Sequence, residues 1–292
     1  MTSPTRYESR IQRMRAFVNL SLGESYDDEA EGSVEVSELM ARREAYPSGR
    51  LPDGVLVVTA GADVQADRIE VELVGWGLGE ESWSLDYLVL AGDPTAAEVW
   101  RKFDAVLSRT YAHASGFRVP VGAAAIDSGY ATQAVYAFCR ERVSRNVFAV
   151  KGREGQVAVW PRKPSRKQGA QLFTVGVDAA KHTVAGRLRI NEPGPGCCHF
   201  PSERPADWFE QLTSEHLVTT YSSGRPFRRW RRKPSVRNES LDCRVYSFAA
   251  LQGLIALGVR LESEQQRLES FLPERRANQQ RVSRSAFMGG WE

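Results

Sequence analysis

The sequence predicts an α/β fold built on one mixed sheet, and three observations carry the prediction. Three strand-like apolar segments follow one another between residues 55 and 90, joined by connections of only a few residues. Strands and helices then alternate to about residue 150. With 292 residues, 42% of them hydrophobic, the chain can bury one substantial core.

The elements follow in order. Val55 to Asp63 is an apolar strand, and Arg68 to Trp76 alternates apolar and acidic residues. Val64-Gln65-Ala66-Asp67 joins them tightly, which makes an antiparallel hairpin. Ser82 to Leu90 is a third strand. Asp93 then reads as a helix N-cap with Pro94 at the first helical position, and the helix runs to about Tyr111 with Val99, Phe103, Val106 and Leu107 inward. Val121 to Asp127 is a fourth strand, small-residued as a crowded central strand would be. Ser128-Gly129 turns the chain into a helix from Thr132 to Val143, and Asn146 to Val150 is a short buried strand ending at Lys151-Gly152. Three antiparallel strands followed by helix, strand, helix, strand resemble the ribonuclease H-like arrangement. A doubly wound nucleotide fold would alternate strand and helix throughout.

Outside this core the pattern changes. Residues 1–50 read as a helical connector, with one helix on Ile11, Met14, Phe17, Val18 and Leu22 and a second from Val36 to Tyr46. After Gly152 the chain is irregular and basic. A helix over 177–185, a strand near Gly186 to Asn191, a helix over 205–214, a hairpin of 217–221 with 227–231, and a strong helix from Arg237 to Leu257 are expected. Residues 262–292 are polar and read as a mobile tail. The expected domains are therefore 1–50, 51–261 and 262–292.

Several classes of function are set aside at this stage. Mean hydropathy is −0.40, and no stretch approaches the roughly 18 consecutive apolar residues of a membrane span. No signal-peptide pattern opens the chain. Cys139 and Cys243 lie in apolar helical patterns and read as small buried hydrophobes of a reducing, cytoplasmic setting. Cys197-Cys198-His199 lacks a second ligand pair for zinc. His182, His199 and His216 have no paired acid at a recognisable spacing, and no Walker A sequence is present to hold a nucleotide triphosphate. The chain is therefore expected not to hydrolyse ATP by itself.

The charge pattern is more informative than the net charge of +3. Basic residues gather at Arg162, Lys163, Arg166 and Lys167, and again from Arg225 to Lys233 with Arg228, Arg229, Arg231 and Arg232. A polyanion would meet these two segments first, without sequence preference; solvated basic loops are the alternative. Trp230 either stacks on a base or anchors the hairpin across the strand pair.

Three aspartates share a placement that points to metal chemistry. Asp63 and Asp127 each close an apolar strand, and Asp242 lies in the first turns of the last strong helix. A carboxylate at the mouth of a buried strand costs several kcal/mol unless paired or metal-bound. Mg²⁺ or Mn²⁺ suits such an oxygen-only set, and two ions about 4 Å apart serve phosphodiester cleavage. Each residue also has a local explanation: a hairpin turn for Asp63, an N-cap for Asp127, a helix-dipole partner for Asp242. Glu239, one turn before Asp242, joins the metal shell or caps the helix. Glu70 and Glu72, weaker candidates for the same site, share one face of the second strand and read as solvated, and Lys151 reads as a contact to the scissile phosphate or a surface lysine.

A set of ordered blocks completes the reading. They include Thr59 to Gln65, Glu70 to Gly77, Gly92-Asp93-Pro94, Ala125 to Gly129, Val147 to Gly152, Gly176-Val177-Asp178 with Lys181, Phe209 to Glu215, and Arg237 to Cys243. In these blocks the chain resembles the C-terminal nuclease half of the phage terminase large subunit, GpA (lambda-like) family. The resemblance implies a metal-dependent endonuclease that cuts concatemeric viral DNA, with Asp63, Asp127 and Asp242 as its acidic metal ligands. It implies double-stranded DNA, a terminase small subunit, an ATPase domain and a portal protein as partners, the portal reached through the tail, in the cytoplasm of a bacterial host. Ala62 departs from the larger aliphatics more usual there. Residues 1–50 resemble the connector after the ATPase motor, so the chain is expected to be an excised or truncated nuclease portion. Two other readings remain: a non-catalytic DNA-binding or assembly module from a decayed prophage, and a cellular resolvase-like nuclease on the same fold.

Overall fold

The computed structural model describes residues 34–46, 51–222 and 225–271. Its centre is the expected antiparallel hairpin, β2 (Val57–Val64) and β3 (Arg68–Trp76), extended by β4 (Ser82–Ala91). β6 (Arg118–Asp127) joins the other side of β2 in parallel, followed by β7 (Val147–Arg153) and β9 (Ala170–Gly176), also parallel. Every residue of β2 is buried, so both of its faces are covered, as its unbroken apolar sequence requires. With β1 (Arg43–Glu44), β8 (Ser165–Lys167) and β10 (Cys198–Pro201), the full sheet has, among the described residues, ten strands in the order β1-β10-β4-β3-β2-β6-β7-β9-β8, with β5 (Thr110–Ala112) added at β6. The mixed α/β sheet flanked by helices is therefore as the order of elements predicted.

Helix α2 (Ala97–Leu107) and helix α3 (Thr132–Arg140) share an aromatic cluster of Trp100, Phe103 and Phe138. Helices α4 (Val177–Leu188), α5 (Ala206–Leu212) and α6 (Glu239–Ala256) pack together, and α6 lies directly on β2, β6 and β3. Gly61 makes that seat possible. A Cβ there would stand 1.9 Å from the Cys243 carbonyl oxygen and 2.2 Å from the Ser247 nitrogen. Two residues along β2, the Thr59 hydroxyl meets the Ser247 carbonyl at 2.9 Å and accepts the Trp76 indole N–H at 2.7 Å. Helix and strand thus meet backbone to backbone, with buried polar groups satisfied on either side.

Several expectations are corrected. The helix after β4 starts at Ala97, because Asp93 instead closes a turn on the Thr95 amide (2.7 Å) and hydroxyl (2.8 Å). It stops at Leu107, and Thr110–Ala112 is an edge strand. The strand expected near Gly186 to Asn191 is the end of α4, where Leu188 is buried and backbone turns at Arg189 and Ile190 close the helix. The irregular basic stretch holds a short antiparallel pair, β8 (Ser165–Lys167) with β9, and Cys198–Pro201 forms β10. In the connector, α1 (Val36–Ala41) ends early because β1 (Arg43–Glu44) pairs with β10; the expected helix over 11–22 lies outside the described residues. Residues 261–271, placed mostly in the mobile tail, form helix α7, with Leu268 buried and Phe271 stacked on Phe117. The rest of that tail lies outside the described residues. No single described helix is long and apolar enough to cross a membrane.

Candidate metal centre

β2 and β6 run parallel with Ala62 opposite Ile126, so Asp63 and Asp127 follow one position later on neighbouring strands. α6 begins over the same end of the sheet and carries Asp242 in its first turns. The three aspartates converge there, near enough that Asp63 and Asp127 each raise the proton affinity of another member. Burial pushes the Asp63 carboxyl up to about 6, with Asp127, Glu239 and Glu70 adding to the effect and the Gln65 hydrogen bond opposing it. Burial also raises Asp127, against hydrogen bonds from Gly129 and Tyr246 and the charge of Lys151. Asp242 is pushed furthest, up to about 8, by burial and then by Asp63, Glu215 and Asp127, with Lys181 opposing.

Each aspartate is held by a neutral donor. Gln65 donates to Asp63 Oδ2 at 2.5 Å, Tyr246 to Asp127 Oδ1 at 3.2 Å, the Gly129 amide to Asp127 Oδ2 at 3.0 Å, and Asn238 to Asp242 Oδ2 at 2.9 Å. Among the described residues none of the three forms an ion pair. The local explanations weaken accordingly: the N-cap position before α3 is Ala131, and Asp63 lies within β2 ahead of the turn.

The neighbouring glutamates correct the sequence reading. Glu70 and Glu72 are buried, at 1% and 0% exposure, where solvated positions were expected. Arginines explain this, Arg244 and Arg237 distant in sequence and Arg68 local. Arg244 holds Glu72 bidentately (Nε 3.0 Å, Nη2 2.6 Å), with Ser84 donating at 2.7 Å. Glu70 accepts from Arg68 at 2.6 Å and also from Arg237 and Tyr87. Glu239 is paired with Arg68 at 2.9 Å and with Arg237 at 3.1 Å. It lies beside the aspartates, yet its charge is already answered.

Among the described residues no group of three or more Asp, Glu, His or Cys side chains is spaced to hold a metal ion. The donor set nonetheless fits a hard divalent cation: oxygen-only, buried or half-buried, mutually repulsive and, among the described residues, without an ion-pair partner. Asp242 Oδ1 and Asp63 Oδ1 make no hydrogen bond among the described residues and remain available to a cation.

Of the basic candidates, Lys151 is exposed on β7 and close enough to Asp127 to lower its proton affinity. Arg162 and Lys163 are exposed before β8, and Arg166 and Lys167 lie on β8 itself, at the sheet edge rather than in a loop. Arg228, Arg229, Arg231 and Arg232 are exposed on β12 (Arg225–Arg232), which pairs with β11 (Glu215–Ser222) as a separate hairpin. Trp230 is half-buried opposite Leu217 and lines a cavity of about 490 Å³ beneath the hairpin, with Lys181, His182 and Arg228 also on its wall. The sequence reading missed Gln65, Tyr246, Asn238, Lys181 and Glu215 as supports of the acids. Two carried a local signal: Gln65 is two residues from Asp63, and Asn238 is one helical turn before Asp242. The histidine reading also changes, since His199 contacts Glu81 at 2.8 Å and Glu44 as well, and stacks on Trp83. Those acids are remote in sequence, and the group lies in the β1–β10–β4 flank.

Comparison with known proteins places this geometry in a family. Residues 5–266 match the model described as terminase large subunit gpA, endonuclease domain. Over 253 residues the chain is 34% identical to the terminase large subunit of Escherichia phage lambda, covering 82% of this chain and 39% of that protein. It is 29% identical over 250 residues to the terminase large subunit of Enterobacteria phage P21, with the same shares. The chain thus spans about 39% of the length of these relatives. A solved structure, the g2p (large terminase) nuclease domain from the bacteriophage SPP1 with bound Mn, is similar at a TM-score of 0.36 and 11% identity, covering 72% of this chain and 96% of that one. The match over most of the chain and the relationship to the lambda protein lead to one conclusion: the chain belongs to the family of terminase large subunit gpA endonuclease domains.

Proposed function

We propose that this chain is a metal-dependent DNA endonuclease that cuts concatemeric viral DNA during phage genome packaging, in the cytoplasm of a bacterial host. One observation carries the reading. Asp63, Asp127 and Asp242 converge, buried or half-buried and, among the described residues, without an ion-pair partner, while the neighbouring Glu70, Glu72 and Glu239 each have an arginine. Membership of the endonuclease family supports the same chemistry.

In this reading the three aspartates hold one or two Mg²⁺ or Mn²⁺ ions. Such ions, when bound, activate water and stabilise the charge that builds on the phosphate. Tyr246 and the Gly129 amide fix the Asp127 carboxylate, and Gln65 fixes Asp63. Burial and the surrounding acids hold the Tyr246 hydroxyl well above its usual range, so it stays a donor. Lys151, exposed beside Asp127, is placed to approach the scissile phosphate. The β8 edge and the β12 arginines neutralise the DNA backbone without reading its sequence. The small subunit, the ATPase domain and, through the tail, the portal protein are the proposed partners. Site choice would rest with the small subunit.

The experiment is plasmid nicking or linearisation with Mn²⁺, with and without EDTA. The native chain should cut with metal and stop with chelator, and Asp127→Asn should cut at least about 100-fold more slowly. Activity that survives either change removes the metal assignment. Preference for branched over linear duplex would favour a resolvase-like enzyme, and DNA binding without Mn²⁺ binding would favour a non-catalytic module.

A further inference from the structure

We propose that Asn238 is a positioning residue that holds Asp242 for metal binding and is itself clamped by the base of the β11–β12 hairpin. The proposal rests on the metal reading above and extends it to residues outside the acid cluster. Asn238 occupies the N-cap position of α6 but makes no side-chain cap bond, although asparagine is among the best capping residues. Its amide is engaged elsewhere. Nδ2 donates to Asp242 Oδ2 at 2.9 Å and to Glu215 Oε1 at 3.1 Å, and Oδ1 accepts from Arg232 Nη1 at 3.2 Å.

The geometry explains why the residue is an amide. A neutral side chain with two donors and an acceptor can satisfy Asp242, Glu215 and Arg232 at once. Aspartate there would add a fourth charge and lose both donors. Arg232 on the carbonyl oxygen fixes which way the amide faces, so the donors must point to the acids. Lys181, on α4, completes the set by pairing with Glu215 Oε2 at 2.7 Å.

The clamp has a particular place in the fold. Glu215 and Arg232 are opposite each other as the base pair of the hairpin, and both reach Asn238. The hairpin that carries Arg228, Arg229 and Arg231 is therefore tied through one side chain to a carboxylate of the acid cluster. Arg232 also acquires a role different from that of a phosphate contact: its guanidinium orients the amide.

The test is calorimetric titration of the full chain with Mn²⁺ in the absence of DNA, with thermal unfolding of each variant as a check on folding. Asn238→Asp, which keeps the shape and removes the donors, should weaken Mn²⁺ binding by about 10-fold or more, in the range seen when groups orienting metal ligands are removed. Asn238→Ala should do the same. Arg232→Gln, which removes the hydrogen bond to the Asn238 carbonyl oxygen, should weaken it by about 3-fold, an effect on metal that a residue contacting only phosphate would not have. Asp242→Asn serves as the reference for loss of a ligand. If the native chain binds Mn²⁺ and Asp242→Asn does not, while folded Asn238→Asp and Asn238→Ala bind within 2-fold of native, Asn238 only starts the helix and the proposal fails alone. If the native chain binds no Mn²⁺, the metal reading fails and takes the proposal with it.

Discussion

Two groups of acids lie side by side at one end of this sheet, and they are treated oppositely. Glu70, Glu72 and Glu239 are each matched by arginines, from β3, from α6 and from the segment leading into α6. Asp63, Asp127 and Asp242 receive only neutral hydrogen bonds. The glutamates are all buried, as is Asp63, while Asp127 and Asp242 are half-buried, so exposure does not explain why it is the glutamates that hold the arginines. What separates the groups is the placement of positive charge. A fold that supplies arginine to one group and withholds it from the next leaves the second group to find its cation elsewhere.

The comparison is broken most forcefully at Arg244. This guanidinium is 1% exposed and is the bidentate partner of Glu72. Arg244→Leu strands a buried carboxylate and should cost about 3–5 kcal/mol, read from urea unfolding. A loss below about 1 kcal/mol would mean that the Arg244–Glu72 pair contributes little to the fold, and the contrast between the groups would disappear.

Asp242→Asn should act in the opposite direction. The Asp242 carboxyl titrates near 8 in the folded chain, against about 3.9 unfolded. Between these values the folded state holds the extra proton, so without metal its stability is full below about pH 4 and falls as the pH rises toward 8. Asn at this position removes that decline. In EDTA at pH 8 the variant should exceed the native chain by about 2 kcal/mol, with no advantage at pH 4. Adding Mn²⁺ should raise the melting temperature of the native chain and not that of the variant. A native chain equally stable at pH 5 and pH 8 in EDTA would show that the aspartates are already neutralised.

The smallest effect on folding belongs to the hairpin. Replacing Arg228, Arg229 and Arg231, all exposed on β12, with Gln should change stability by less than about 1 kcal/mol for each residue. It should weaken binding to all DNA sequences alike and flatten the salt dependence by about 0.9 in log–log slope for each phosphate that is no longer neutralised. An unchanged slope would move the DNA path away from β12.

The sequence made the aspartates legible and concealed the glutamates for the same reason. A single acid ending an apolar strand stands out against its neighbours, as Asp63 and Asp127 do. In β3, alternating acids look like the solvent face of an amphipathic strand. For Glu72 that reading is reversed by Arg244, 172 residues away, and for Glu70 by Arg237, 167 residues away, beside the local Arg68; no local pattern announces partners so distant. The early hairpin and α6 were visible from periodicity. Strands β8, β9 and β10 were not, because β8 is exposed and basic and β10 has only four residues. Helix α7 was concealed by polar composition, since few of its side chains are buried.

Gly61 sets what can later be changed in this molecule. Where side chains separate a helix from a sheet, rotamers give the spacing some play, and substitution can widen or narrow it by degrees. Here the carbonyl of Cys243 would lie 1.9 Å from any Cβ added to the strand, so the gap between β2 and α6 has no adjustable part. The span from Asp63 to Asp242 is accordingly inherited from main-chain contact. Retuning the centre toward a cation of another radius would have to proceed through the torsions of the aspartates and the amides that hold them, because the frame has no intermediate setting to offer.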